Sequence, residues 1–254
     1  MSMTKKSIVT FRPDLIPNLP ELIWSEIEGY GNHEWDLPEK QELLEAIVGD
    51  AAATEIYSIT DHAECNVRLR QILSPYLKSN DMAVRLAAIE WVVYDWGNVR
   101  GKSEKHESWP KKLEKFEPDV IKQFISANYK DRIASWSKVL GFADSSTYAI
   151  YDARVAMALN AILDKTNYEN RFYMPPPSSQ KLGGLFSHIK EVVGRIYLGR
   201  QVRYLGYFDY MDLLNAMVAK GLSPNILEVE MRLFAHGMTF AKEYAVKHNL
   251  PYEE

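Results

Sequence analysis

The stretch Tyr148 to Leu159, YAIYDARVAMAL, sets an acid, Asp152, between an aromatic-apolar run and an alanine-rich helical pattern. Two roles suit an acid there. Asp is a preferred helix N-cap, because its side-chain oxygen accepts from backbone N–H groups that the first helical turn leaves unpaired. A carboxylate can also stabilise positive charge that develops in a transition state. The second role needs a partner from elsewhere in the chain. Lys138, 14 residues earlier, supplies an amine. A lysine in a desolvated setting can lose its proton and act as a nucleophile. Read singly, Asp152 is a cap and Lys138 a solvated surface lysine. Read together on consecutive helices they form a candidate catalytic pair. The two readings of Asp152 are compatible, since a capping Asp can also face a substrate.

The elements that must position this pair are helical. DRIASWSKVLGF reads as an amphipathic helix carrying Lys138 and ending near Gly141. A polar turn, ADSST, follows, and YAIYD then leads into the helix ARVAMALNAILDK. Apolar spacing and stop signals mark further helices in LPELIWSEIEGYG, PEKQELLEAIVGD, NVRLRQILSPYL and DMAVRLAAIEWVVYDWG. The last opens on a capping Asp81 and closes at Gly97, read as its left-handed cap. EPDVIKQFISANY, LFSHIKEVVGRIY, DYMDLLNAMVAKG and PNILEVEMRLFAHGMTFAKEYAVKH complete the set, and 227–245 is taken as core. YAIY is too short to build a sheet, and SIVTF has no clear partner. GKSEKHESWPKK (101–112) reads as an exposed loop, and YMPPPSSQKLGG (173–184) as an extended then flexible link. The fold class is all-α.

The order helix–Lys–loop–apolar approach–Asp–helix resembles the catalytic segment of the helix-hairpin-helix DNA glycosylases, in particular the 8-oxoguanine glycosylase branch. SKVLGF is similar to that family's Lys-Val-Ala run, and YDARVAMAL to its Val-Asp-X-His-Val-X-Arg-Val-Ala block. Where the family's hairpin reads Leu-Pro-Gly-Val-Gly, this chain has RIASWS, so the hairpin is degenerate and lacks the glycines that let backbone amides approach a phosphate. The resemblance implies a glycosylase-like helical architecture and an N-glycosidic hydrolase acting on double-stranded DNA. Asp152 would then stabilise the oxocarbenium-like transition state, and Lys138 would be the nucleophile, with strand cleavage to follow, or a positioning cation. It extends to Trp136, Tyr151 and Arg154 as pocket or DNA-facing residues. It also implies a role in antiviral defence, with a hypermodified cytosine of phage DNA, including glucosylated hydroxymethylcytosine, as the excised base. The base must leave the stack to be reached.

Two further segments suit that chemistry. In EWVVYDWGNVRG (90–101), Tyr94 and Trp96 are candidates to stack on an extruded base, and Asp95, Asn98 and Arg100 to read its edge or a phosphate. The plainer alternative is a helix end with Trp91 and Val92 in the core. In residues 181–210, Lys190, Arg195, Arg200 and Arg203 alternate with Tyr197, Tyr204, Tyr207, Phe208 and Tyr210, as in a nucleic-acid groove. The alternative is a solvated helix face with tyrosines packed beneath.

Bulk composition is that of a globular chain, 46% hydrophobic and 25% charged over 254 residues. Net charge is −4. Residues 1–80 carry 7 basic and 13 acidic groups, and residues 81–254 carry 23 and 21. The acid excess therefore sits in the first third, and a local basic face on the remainder stays open. This suggests an acidic helical region over 1–80 and a second region over 81–254, which the resemblance implies is a glycosylase-like domain, the two sharing one core. A single cysteine, Cys65, excludes an intramolecular disulfide and suits a reducing, cytoplasmic setting. The N-terminus lacks an apolar signal-peptide core, and no apolar run is long enough for a membrane span. No cofactor is expected. HEWD (33–36) and DHAEC (61–65) each bring a His near acids without a matching second half, so no metal site is expected either. The competing class is a non-catalytic helical module that binds DNA or protein on the same scaffold.

Overall fold

The computed structural model describes residues 18–29, 36–99, 132–168, 170–177, 182–197 and 205–252, with isolated positions between 120 and 125. Side chains from 192 to 197 lie outside the description. So do SIVTF, the 101–112 segment, and Arg100, Arg200 and Arg203.

The described residues are all-α. The helices are α1 (Leu19–Ile27), α2 (Gln41–Val48), α3 (Asp50–Ser58), α4 (His62–Leu77), α5 (Met82–Glu90), α6 (Ile133–Ala143), α7 (Ala153–Lys165), α8 (Gly183–Tyr197), α9 (Tyr207–Ala219) and α10 (Ile226–Lys247). A π-helical turn, Trp91–Trp96, prolongs α5. Among the described residues, the extended backbone pairs only in an isolated bridge between Phe172 and Leu205.

Capping chemistry sets many of these starts. Asp61, Asp81, Asp152 and Asn225 each accept from backbone N–H groups of the helix that follows. Gly49, at φ 85°, breaks α2 from α3 in a backbone region that only glycine enters freely. Gly49 is the stop signal in PEKQELLEAIVGD, after which the next helix expected is NVRLRQILSPYL. α3 resumes at the very next residue. Similarly, Gly183 and Gly184 open α8 and do not extend the link before it.

α7 and α10 pack against each other most extensively and form the centre. α7 is buried on all sides, from Val155 through Asp164, as a helix surrounded by others must be. α10 approaches closely because Gly237 lacks a side chain. A Cβ there would lie 2.3 Å from Arg154 Cγ. α6 packs against α4, and the π-turn packs against α6. The expectation of an amphipathic α6 is corrected, since Ile133 and every residue from Ser135 to Ala143 are buried. Buried apolar side chains from all ten helices join one continuous core.

α1 belongs to that core through Leu19, Ile23 and Ile27. Its acids meet cations from the other end of the chain. Glu26 pairs with Lys165 at 2.5 Å, and Glu21 pairs with Lys220. Arg232 donates to the Glu28 carbonyl at 2.8 Å and lies over Trp24. Such exposed pairs add little stability singly. They do show that part of the acid excess in residues 1–80 is answered within the molecule. No described helix is long and apolar enough to cross a membrane.

Candidate functional site: an amine and an acid on adjoining elements

Lys138 and Asp152 meet. Lys138 Nζ stands 3.7 Å from Asp152 Oδ2. The lysine side chain is 7% exposed and the aspartate 16%, so the pair is largely desolvated and the acid keeps the larger share of solvent contact. The surface-lysine alternative for Lys138 is thereby excluded. Lys138 lies in the middle of α6, and its ammonium also donates to the Ala134 carbonyl at 3.3 Å. In the RIASWS segment, Arg132 stands at the N-cap of α6 and residues 133–137 form its first turns.

The two oxygens of Asp152 are engaged separately, and the capping role is the one seen directly. Oδ1 accepts from the backbone N–H groups of Arg154 (2.9 Å) and Val155 (3.1 Å) and so caps α7. Oδ2 is turned toward Lys138. The cap fixes the carboxylate in place and leaves Oδ2 outside the capping contacts.

The approach to Asp152 is held residue by residue. Tyr207 donates its hydroxyl to the Ala149 carbonyl at 3.1 Å. The Ile150 N–H donates to Glu230 Oε2 at 2.8 Å. Ser137 Oγ accepts from the Tyr151 N–H at 2.9 Å and lies 3.2 Å from the Tyr151 carbonyl. Ser137 and Lys138 are consecutive, and so are Tyr151 and Asp152. One rung of hydrogen bonds thus sits beside the ion pair. The Tyr151 hydroxyl donates to the Tyr173 carbonyl. Burial pushes the phenols of Tyr151, Tyr207 and Tyr210 well above their ordinary range, so all three remain neutral. The Tyr210 hydroxyl has no hydrogen-bond partner among the described residues.

The π-turn closes the other side of Lys138. Trp96 packs edge-on against Phe142 of α6, with ring centroids 4.6 Å apart. Gly97 sits against the lysine stem, where an added Cβ would lie 2.9 Å from Lys138 Cδ. Gly97 is therefore not the left-handed cap that the sequence suggests. Its φ is −77°, and Asn98, at φ 47°, takes the left-handed conformation. Glycine suits this position because the Val92 and Val93 carbonyls and the lysine stem all pass too close for a side chain.

The remaining candidates divide. Trp96 and Trp136 are each 3% exposed and Tyr151 is fully buried, so none presents an open face for stacking on a base. They belong to the core. Tyr94 and Asp95 are half-buried, and Asn98 is exposed. Arg154 lies beside the cap with its guanidinium 4.3 Å over the Phe234 ring, and burial lowers its pKa against the opposing effect of Asp152. Tyr207 and Tyr210 are buried, which removes them from the expected basic-aromatic groove. Lys190 is exposed on α8, and Arg195 falls in that helix with its side chain outside the description. Among the described residues, no group of three or more His, Cys, Asp or Glu is arranged to hold a metal.

Ser137, Glu230 and Gly97 escaped the sequence reading as members of the site. Glu230 carried a legible signal, an acid inside the apolar stripe of α10 between Ile226 and Leu233. Comparison of the chain with protein-family models, with curated proteins and with solved structures finds no match.

Proposed function

We propose that this chain is a DNA glycosylase that excises a modified base from double-stranded DNA. The observation that carries the reading is the 3.7 Å approach of Lys138 Nζ to Asp152 Oδ2, on adjoining elements, with the acid keeping the larger share of solvent contact. An anionic oxygen held by a helix cap suits stabilisation of positive charge on a sugar ring. The resemblance to the 8-oxoguanine glycosylase branch adds the substrate class, a hypermodified cytosine such as glucosylated hydroxymethylcytosine, and a role in antiviral defence.

Two displacements use the same pair. In the first, Lys138 gives a proton to Asp152 and Nζ bonds to C1′. The glycosidic bond breaks, and the base leaves with the bonding electrons and takes up a proton. The nitrogen sheds a proton, the ring C1′–O4′ bond opens with protonation of O4′, and an iminium links Nζ to C1′. In the second, the glycosidic bond breaks and the base leaves with the bonding electrons and takes up a proton, while water gives a proton to Asp152 and its oxygen bonds to C1′, and Lys138 stays a cation. Borohydride reduces the iminium of the first route to a stable adduct and leaves the second untouched.

Burial of Trp96, Trp136 and Tyr151 favours a second reading, a non-catalytic helical module that binds DNA or protein, in which Lys138–Asp152 is a structural bridge. Incubation with phage and host DNA followed by alkali separates the two. Strand breaks that require Asp152 support the glycosylase. Intact strands on every modified DNA support the module.

A further inference from the structure

Glu230 is an acid from α10 placed 80 residues from the segment it holds. Its carboxylate is almost wholly buried. Oε1 accepts from Arg70 Nη2 at 2.6 Å, and Oε2 accepts from Arg70 Nη1 at 3.1 Å and from the Ile150 N–H at 2.8 Å. Arg70, on α4, is equally buried. Its Nε donates to Asn66 Oδ1 at 2.8 Å, and its guanidinium lies 5.1 Å from the Phe142 ring centroid. Gly141 of α6 makes room for the junction. A Cβ there would lie 3.2 Å from Ile150 Cγ1 and 3.4 Å from Arg70 Nη1. Three helices therefore converge on one backbone N–H, two residues before Asp152.

A buried ion pair is weak grounds for stability, because apolar groups of similar volume often replace one without loss. Glu230 has a task that an apolar side chain lacks, since it accepts from Ile150. We infer that Glu230 is a positioning residue. Its oxygen at Ile150 sets the register of Ala149–Asp152 and so aims Asp152 Oδ2 at Lys138. Arg70 serves to neutralise the buried carboxylate. The essential feature is an acceptor at Ile150, and the charge is dispensable. The inference rests on the glycosylase reading only for its effect on turnover. The aim of Asp152 at Lys138 is independent of that reading.

Two double variants of the full chain separate acceptor from charge. R70M/E230Q removes both charges and keeps a carbonyl oxygen at Ile150. R70M/E230L removes both charges and the acceptor. Asn66 loses Arg70 in each, so the two differ at the Ile150 contact and in the Gln amide NH2 that stands where a carboxylate oxygen faced Arg70. Acylation of Lys138 by acetic anhydride, read by peptide mass, reports the pair without any substrate. We expect wild-type protection of Lys138 in the Gln variant and faster labelling in the Leu variant, both being folded by thermal melt. Base release should follow the same order, with KM steady and turnover falling about a hundredfold in the Leu variant, as for displaced catalytic groups. A folded Leu variant with wild-type Lys138 protection overturns the inference. Should the Leu variant not fold, amide exchange in the wild-type protein decides, since Ile150 must rank among the slowest-exchanging amides and rapid exchange there overturns the inference. Absence of base release by the wild-type protein counts against the glycosylase reading alone, because labelling and exchange still test the positioning.

Discussion

Gly97 faces the Lys138 stem across two elements, and a Cβ on the glycine would lie 2.9 Å from Lys138 Cδ. The same point lies 2.7 Å from the Val93 carbonyl and 2.8 Å from that of Val92. The π-turn therefore ends in a residue that must be small, and the lysine stem fills the space so left. π-turns inside helices are frequent at functional sites, where one extra residue re-aims a side chain.

Gly97→Ala should force either the π-turn or the lysine to move. Overpacking of this kind costs about 1–3 kcal/mol. The expected result is a lower unfolding midpoint in urea together with faster acylation of Lys138. An unchanged midpoint and unchanged labelling would show that the lysine does not depend on this contact.

Asp152→Asn separates the two jobs of the carboxylate. Asn caps helices about as well as Asp, so the Oδ1 contacts to Arg154 and Val155 have a ready replacement. The charge facing Lys138 disappears. Base excision should be lost while circular dichroism remains that of the wild type. Asp152→Ala should lose the cap as well, at a further cost of about 1 kcal/mol in urea unfolding.

Arg70→Ala should be far more harmful than either charge-free double variant. It leaves the Glu230 carboxylate buried with its two guanidinium contacts gone. Breaking such a pair on one side costs about 3–5 kcal/mol. The check is urea unfolding of Arg70→Ala beside R70M/E230Q, with the single variant expected to be the less stable.

Acid sensitivity should come from the far end of α7. Burial alone would raise the Asp164 carboxyl, but hydrogen bonds from Lys247 and His248 outweigh it and hold the carboxyl below its usual value. His248 Nε2 lies 2.9 Å and Lys247 Nζ 2.8 Å from Asp164 Oδ2, and Arg171 Nη2 lies 3.0 Å from Oδ1. With the folded pKa below the unfolded one, the stabilisation is present above the ordinary carboxylate range, about pH 4. It is lost as pH falls through the lower folded value. The stability gap between wild type and Asp164→Asn should therefore narrow as the pH is lowered through that window. A constant gap would show that Asp164 is not linked to folding in this way.

The sequence shows the helices that carry both an apolar period and a cap, such as α5 behind Asp81 and α7 behind Asp152. It also brings Lys138 and Asp152 forward as a pair. α3 was not legible, because only Gly49 separates it from α2 and its pattern is weak. The π-turn was not legible either, since its extra residue leaves no mark in WVVYDW. Burial misled at Trp96, Trp136 and Tyr151, whose types suit stacking and packing equally. What holds the site together, Ser137 on Tyr151 and Glu230 on Ile150, joins residues 14 and 80 positions apart. Local patterns do not encode such contacts.

The central claim is that the Lys138–Asp152 pair cleaves a glycosidic bond. The most direct measurement is release of free base, by mass spectrometry in a single turnover, from DNA carrying glucosylated hydroxymethylcytosine. The account requires release by the wild-type protein, none by Asp152→Asn, and matching alkali-labile sites in the DNA. Equal release by the two proteins, or no release from any modified DNA, would contradict it.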